Sequence, residues 1–362
     1  MQGTHSRNSQ RALADASAED EGGVTTTIES LEPIRFMNSL STTPLRGLHH
    51  VTAVTADAPG NLDFYTRLLG MRLVKKTVNQ DDVSAYHLFY ADALGSPGTD
   101  LTFFDWAYAT RTRPGAGTIS ETALRVLGGA ETLKQWAEWL DQSGVKRGEI
   151  ESRHGVESLP FQDPEGQQLR LVAEPGADAA SRFHPWRGSP VGADAAIVGL
   201  SGVTLRVSDF DETARFLTEV LGFRPNVDDP ALFETGAGGP GAQARLEIDK
   251  NRAIHGAGGV HHVAWCVADV TELLAWQKRI EGFQLRTSGK VDRHYFQSLY
   301  FRIPEGILFE IATAGPGFTA DGEDLEHLGE RLSLPPFLEP QRARIEAGVK
   351  PLEYKPVHVS QP

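Results

Sequence analysis

The chain has 362 residues, 40% hydrophobic and 23% charged, which leaves room for two ordinary domains with a sizeable core. A formal net charge of −13 with no Lys/Arg cluster argues against nucleic acid as a partner. No run of eighteen apolar residues exists and the N-terminus lacks an apolar leader core, so neither a membrane span nor a secretory signal is expected. Cys266 is the only cysteine, which excludes an intramolecular disulfide and fits a reducing cytoplasm.

Residues 1–43 are rich in Ser, Thr, Ala, Gly and acidic groups, and predict a disordered or loosely packed extension. From Leu45 a unit of one strand, one helix and three strands begins, and it returns four times. The first places strands at 47–55, 71–78, 85–91 and 99–106 around a helix at Asn61–Leu69, with Gly70 past its end. The second has strands at 121–127, 148–153, 157–162 and 168–174 with a helix at 130–142. The third opens at Leu200–Val207, has a helix at Asp211–Leu221 and ends at Arg245–Ile248. The fourth opens at Val260–Val267, has a helix at 269–280 and ends with strands at 297–303 and 307–313.

The echo is visible in short phrases. Phe64-Tyr65-Thr66-Arg67-Leu68-Leu69-Gly70 matches Phe216-Leu217-Thr218-Glu219-Val220-Leu221-Gly222, and Asp163-Pro164-Glu165-Gly166 matches Ile303-Pro304-Glu305-Gly306. The repeat predicts an α+β fold of four βαβββ modules, forming two paired-module domains with curved, cup-like mixed sheets. The expected pairs are 44–175 and 199–314, joined by a Gly/Ala/Pro/Asp-rich linker at 176–198. A C-terminal tail, 315–362, is expected to pack on the body through its aromatic and proline residues.

Chemistry enters with Gly47-Leu48-His49-His50-Val51 and its near copy Gly259-Val260-His261-His262-Val263. Neighbouring side chains on a strand point to opposite faces, so one histidine of each pair is expected to face a common site. A carboxylate from the strongly apolar strand around Glu310 would be costly to bury unless paired or bound to a cation. Glu247 in the third unit is a rival, but that unit opens with Gly202-Val203-Thr204 and lacks the histidine. Two imidazoles and one carboxylate leave coordination positions open and suit a non-haem Fe(II), with Mn(II) as the alternative.

These features resemble the vicinal oxygen chelate superfamily, which includes glyoxalase I, fosfomycin-resistance proteins and extradiol dioxygenases. Within it the chain is most similar to hydroquinone ring-cleaving dioxygenases. The phrases that carry the likeness are Leu48-His49-His50-Val51-Thr52, Lys75-Lys76-Thr77-Val78-Asn79, Thr102-Phe103-Phe104 and Gly259-Val260-His261-His262-Val263-Ala264. It continues through Asp292-Arg293-His294-Tyr295-Phe296-Gln297 and Gly306-Ile307-Leu308-Phe309-Glu310. The resemblance implies that the second histidine of each pair and the late glutamate hold the metal, giving His50, His262 and Glu310. It further implies catalytic roles around the metal for Arg293 and Tyr300.

The expected activity is ring opening of a hydroquinone-type or catechol-type aromatic diol with O2, both oxygen atoms being retained. The expected partners are therefore a small aromatic substrate and O2. Paired-unit folds of this kind often associate, so a homo-oligomer is also among them. Two rival readings follow from the same superfamily: a glyoxalase-like lyase, isomerase or thiol transferase, and a non-catalytic protein that sequesters a small molecule. Thr52, two residues from His50, is a candidate for the pocket wall; His87, His154, His184, His255, His294 and His327 are expected in surface or structural roles.

Overall fold

The computed structural model describes residues 42–174 and 183–354; the predicted N-terminal extension lies almost entirely outside them. The first module contains β1 (Leu48–Thr55), α1 (Ala58–Asp63), β2 (Arg72–Val78), β3 (Tyr86–Ala91) and β4 (Asp100–Asp105). The second contains β5 (Thr118–Val126), α2 (Ala130–Gln142), β6 (Glu151–Arg153), β7 (Val156–Gln162) and β8 (Gln168–Ala173). The third has β9 (Ile197–Val207), α3 (Phe210–Arg215), β10 (Arg224–Pro225), β11 (Leu232–Glu234) and β12 (Gln243–Ile248). The fourth has β13 (Val260–Val267), α4 (Val270–Gly282), β14 (Thr287–Asp292), β15 (Phe296–Arg302) and β16 (Leu308–Pro316).

The repeat extends to fine detail. Asp57, Asp209 and Asp269 cap α1, α3 and α4, each accepting from a backbone N–H in the first turn, a contact worth about 1 kcal/mol. The helices predicted at 61–69 and 211–221 are α-helical only at their starts. Each then widens into a π turn, closed by Leu69 N–H donating to Phe64 O at 2.9 Å and by Leu221 N–H donating to Phe216 O at 3.3 Å. Gly70 ends the first with φ +67°, and a Cβ there would lie 2.5 Å from Ser189 Cα.

The modules do not pair in chain order. One eight-stranded sheet runs β14-β15-β16-β13-β1-β4-β3-β2, so it joins the first module to the fourth. The other runs β10-β11-β12-β9-β5-β8-β7-β6 and joins the second to the third. The expected division into 44–175 and 199–314 therefore does not describe how the sheets are built. The seam between first and fourth modules is the antiparallel pair β1–β13, which sets the two His-His strands side by side.

The repeated turns tie the sheets together. Glu165 Oε1, in the second module, accepts from Ala56 N of the first at 2.9 Å. Glu305 Oε1, in the fourth, accepts from Ser208 N at 2.7 Å and Asp209 N at 2.9 Å in the third. One carboxylate in each direction thus clamps sheet to sheet.

The described part of the tail covers the edge strand β2. Ser333 N–H donates to Lys76 O at 2.9 Å. Fully buried Lys75 donates to Asp321 Oδ2 at 2.8 Å and to Glu323, while Tyr295 Oη donates to the same Asp321 at 3.0 Å. An edge that would otherwise invite pairing with another chain is sealed by this chain's own C-terminal segment.

Candidate metal centre

β1 and β13 should each show one histidine to a site and hide the other, but both strands are bulged. Leu48 pairs with Trp265 and His50 with Ala264, leaving His49 as the extra residue on β1. Thr52 pairs with His262 and Ala53 with Val260, leaving His261 as the extra residue on β13. A bulge re-aims one side chain out of the period-two alternation. Adjacent rings consequently meet: Nδ1 of His49 lies 2.9 Å from Nδ1 of His50, and Nδ1 of His261 lies 2.7 Å from Nδ1 of His262. His50 and His262 reach the cavity, while His49 and His261 touch them from behind without lining it.

Three donor atoms converge. His50 Nε2 and His262 Nε2 are 3.2 Å apart, and Glu310 Oε2 lies 3.2 Å from the first and 3.0 Å from the second. All three side chains are buried, Glu310 completely. Donors about 2.1 Å from one ion and at right angles lie about 3.0 Å apart, so the triangle fits one face of a six-coordinate ion. Glu310 Oε1 accepts from Ser298 Oγ at 2.5 Å, whereas Oε2 has no hydrogen-bond partner. Among the described residues this is the group of His, Cys, Asp and Glu side chains that could hold a metal ion.

The protonation of the cluster follows from its neighbours. His49 Nε2–H donates to the Thr313 carbonyl at 3.1 Å, so its Nδ1 carries the lone pair and accepts from His50 Nδ1–H. His50 Nε2 is then left with a lone pair aimed at the centre. Burial, and the adjacent His50, push the His49 imidazole down to about 3. Burial alone would raise the Glu310 carboxyl, but positive charge on the two imidazoles, in the place a bound cation would take, outweighs it and holds the carboxyl well below the ordinary range.

A cavity with an empty volume of about 440 Å³ opens over the donors. Phe89, Phe104 and Phe296 supply apolar wall, and Arg293 and Tyr300 supply polar wall. Arg293 Nε–H donates to Tyr300 Oη at 3.2 Å and its Nη2–H to Asp81 at 3.0 Å, while Gln80 donates to Arg293 O at 3.0 Å. The β2–β3 turn of the first module thereby touches the β14–β15 turn of the fourth across the cup. Burial first, and the Glu310 charge second, raise the Tyr300 phenol, which stays protonated. Thr52 does not line the cavity; it is fully buried and 2.7 Å from Thr102 Oγ1.

His87 does line it, contrary to the surface or structural role expected of it. The available signal was its place beside Phe89 on one face of β3, opposite Thr77 on β2. That register could not be read without the pairing.

The second sheet repeats the frame without the chemistry. Its seam β5–β9 carries equivalent bulges at Ser120 and Ser201, followed by Glu121 and Gly202 where the first sheet has His50 and His262. Ala264 pairs with Glu310, and the equivalent pairs are Ala123 with Arg170 and Thr204 with Arg245. The position equivalent to Glu310 in the third module is thus Arg245; Glu247 bonds Arg206 at 3.2 Å instead. Arg170 makes two bonds to Glu121, at 2.8 and 2.9 Å, so ion pairs fill the second cup.

The fold and this site define a family. Residues 47–171 and 199–311 match the model of the Glyoxalase/Bleomycin resistance protein/Dioxygenase superfamily, and the chain belongs to it. It is 42% identical over 319 residues to a Bacillus subtilis protein provisionally named ring-cleaving dioxygenase MhqA, covering 85% of this chain and 99% of that one. It is 34% identical over 305 residues to the chlorohydroquinone/hydroquinone 1,2-dioxygenase of Sphingobium indicum, covering 82% and 93%. A crystal structure described provisionally as a dioxygenase from Bacillus subtilis superposes with a TM-score of 0.80 at 36% identity, covering 87% of this chain and all of that one. These relationships make the chain an oxidoreductase of the ring-cleaving dioxygenase class.

Proposed function

We propose that the protein is an Fe(II)-dependent dioxygenase that opens the ring of a hydroquinone-type diol, adding both atoms of O2 to the product. The observation that carries the reading is the convergence of His50 Nε2, His262 Nε2 and Glu310 Oε2 at 3.0–3.2 Å beneath a cavity. Fe(II) held there supplies vacant coordination positions and electron transfer to O2. The ion brings two positive charges and Glu310 one negative, so an ionised ring oxygen is the favoured ligand.

The chain's own residues do the rest. Tyr300 keeps its proton and offers a hydroxyl at the cavity wall, while Arg293 fixes that hydroxyl and places positive charge where a ring oxygen gains negative charge. The walls Phe89, Phe104 and Phe296 offer apolar contact to a bound ring. His49 and His261 hold the two ligating rings in position. The donor cluster has three members, which favours this reading over a glyoxalase-type site with additional protein ligands.

The test is anaerobic reconstitution with Fe(II) or Mn(II), then oxygen uptake with hydroquinone and catechol beside a Glu310→Gln control. One O2 consumed per ring opened, with Fe(II) and not Mn(II), and lost in the control, supports the reading. No uptake with iron bound would refute it.

A further inference from the structure

Resting on that hydroquinone reading, we propose that His87 and Thr77 form a receptor for the far hydroxyl of a 1,4-diol and so set its preference over a 1,2-diol. In a 1,2-diol both oxygens lie at the metal end of the ring. In a 1,4-diol the second oxygen is carried to the opposite end and needs a partner of its own.

Both residues line the cavity and face each other across the antiparallel pair β2–β3. Thr77 is 2% exposed, and its Oγ1 is buried without a hydrogen-bond partner. A hydroxyl left so is costly, about 1–3 kcal/mol, unless a ligand completes it. β3 lies two strands from the ligand strand β1 in the sheet order, about 10 Å of sheet. That span suits a ring with oxygens at opposite ends and exceeds one with adjacent oxygens.

The ring proton of His87 can be placed. Its Nε2 lies 3.0 Å from Thr102 Oγ1, which lies 2.7 Å from Thr52 Oγ1. Thr52 and Thr102 are fully buried, and the one hydrogen bond of the Thr52 hydroxyl is to Thr102. Every hydroxyl proton is used only if Thr52 donates to Thr102 and Thr102 donates to His87 Nε2. Nδ1 then carries the hydrogen, and the ring is held between Phe89 and Phe104, with centroids 4.0 and 4.4 Å away. A diol hydroxyl accepts from His87 Nδ1–H and donates to Thr77 Oγ1, which gives that buried oxygen a partner.

The experiment measures anaerobic binding of hydroquinone, and of phenol, which lacks the far hydroxyl, to the Fe(II)-loaded full chain by titration calorimetry. Wild type should bind hydroquinone about 10-fold or more tighter than phenol. Thr77→Val and His87→Phe should each lose most of that ratio while keeping phenol affinity and iron content. A ratio unchanged in the variants overturns the assignment. Thr77→Val preserves side-chain shape on a buried strand and decides the matter alone if His87→Phe does not fold. Failure of the underlying reading shows in wild type: opening of catechol with none of hydroquinone overturns both, whereas hydroquinone opening with unchanged ratios overturns only the receptor.

Discussion

Replacing His49 with phenylalanine isolates what the first histidine of the pair contributes. The new ring keeps the edge contact with Phe296, whose centroid is 5.0 Å away, but removes the Nδ1 acceptor 2.9 Å from His50 Nδ1. His50, 2% exposed, is then free to move its proton to Nε2 and donate to Glu310 Oε2 at 3.2 Å. That tautomer has no lone pair for an ion, so metal binding must first reverse it. Loss of an orienting partner of this kind costs about 10- to 100-fold in metal affinity, or about 1.4–2.8 kcal/mol. The assay is anaerobic Fe(II) titration of the metal-free protein against a chromophoric chelator, with His261→Phe measured alongside as the symmetric case. Affinities within about two-fold of wild type in both, with native circular dichroism, would show that the Nδ1 contacts do not set the ligand tautomers.

The same variant has a pH signature. His49 titrates at about 3 in the fold against 6.5 in the unfolded chain, so unfolding takes up a proton between those values. The stability of wild type relative to His49→Phe should be constant above pH 6.5 and fall as pH drops toward 3, as followed by denaturant unfolding of the metal-free forms. Tyr300→Phe should lower kcat/KM for the diol by about 10-fold or more, with Fe(II) affinity within about three-fold of wild type, since the phenol acts on the substrate side. Lys75→Met leaves the Asp321 and Glu323 carboxylates buried without their cation and should cost about 3–5 kcal/mol, lowering Tm by about 6 °C or more. Protease sensitivity of the tail should rise with it, and Lys75→Met/Asp321→Asn/Glu323→Gln should recover most of the loss.

Much of the fold was legible because the modules repeat, and repeated phrases fix where strands and helices begin even when each copy alone is weak. The candidate ligands were legible for the same reason: His-His-Val twice, with one carboxylate in an apolar strand. The choice within each pair was not, since alternation assumes a regular ladder and the residues in question are the bulged ones. The module pairing was hidden too, because nothing local to β1 distinguishes β13 from β5 as its neighbour. Glu247 stood as a rival to Glu310 because its place two residues past Arg245 shows only in the ladder with β9. His87 looked ordinary because its meaning depends on Thr77 opposite it and on the Thr52–Thr102 pair behind it.

The nested pairing of modules bears on how the protein is made. The second sheet draws on residues 118–248 alone, so it can assemble on a growing chain while synthesis continues. The first sheet needs strands from both ends, and the last donor of its centre, Glu310, emerges 260 residues after His50. A nascent or truncated chain therefore holds at most an incomplete donor set. A metal ion could meet all three donors only once the fourth module has been made and has paired with the first.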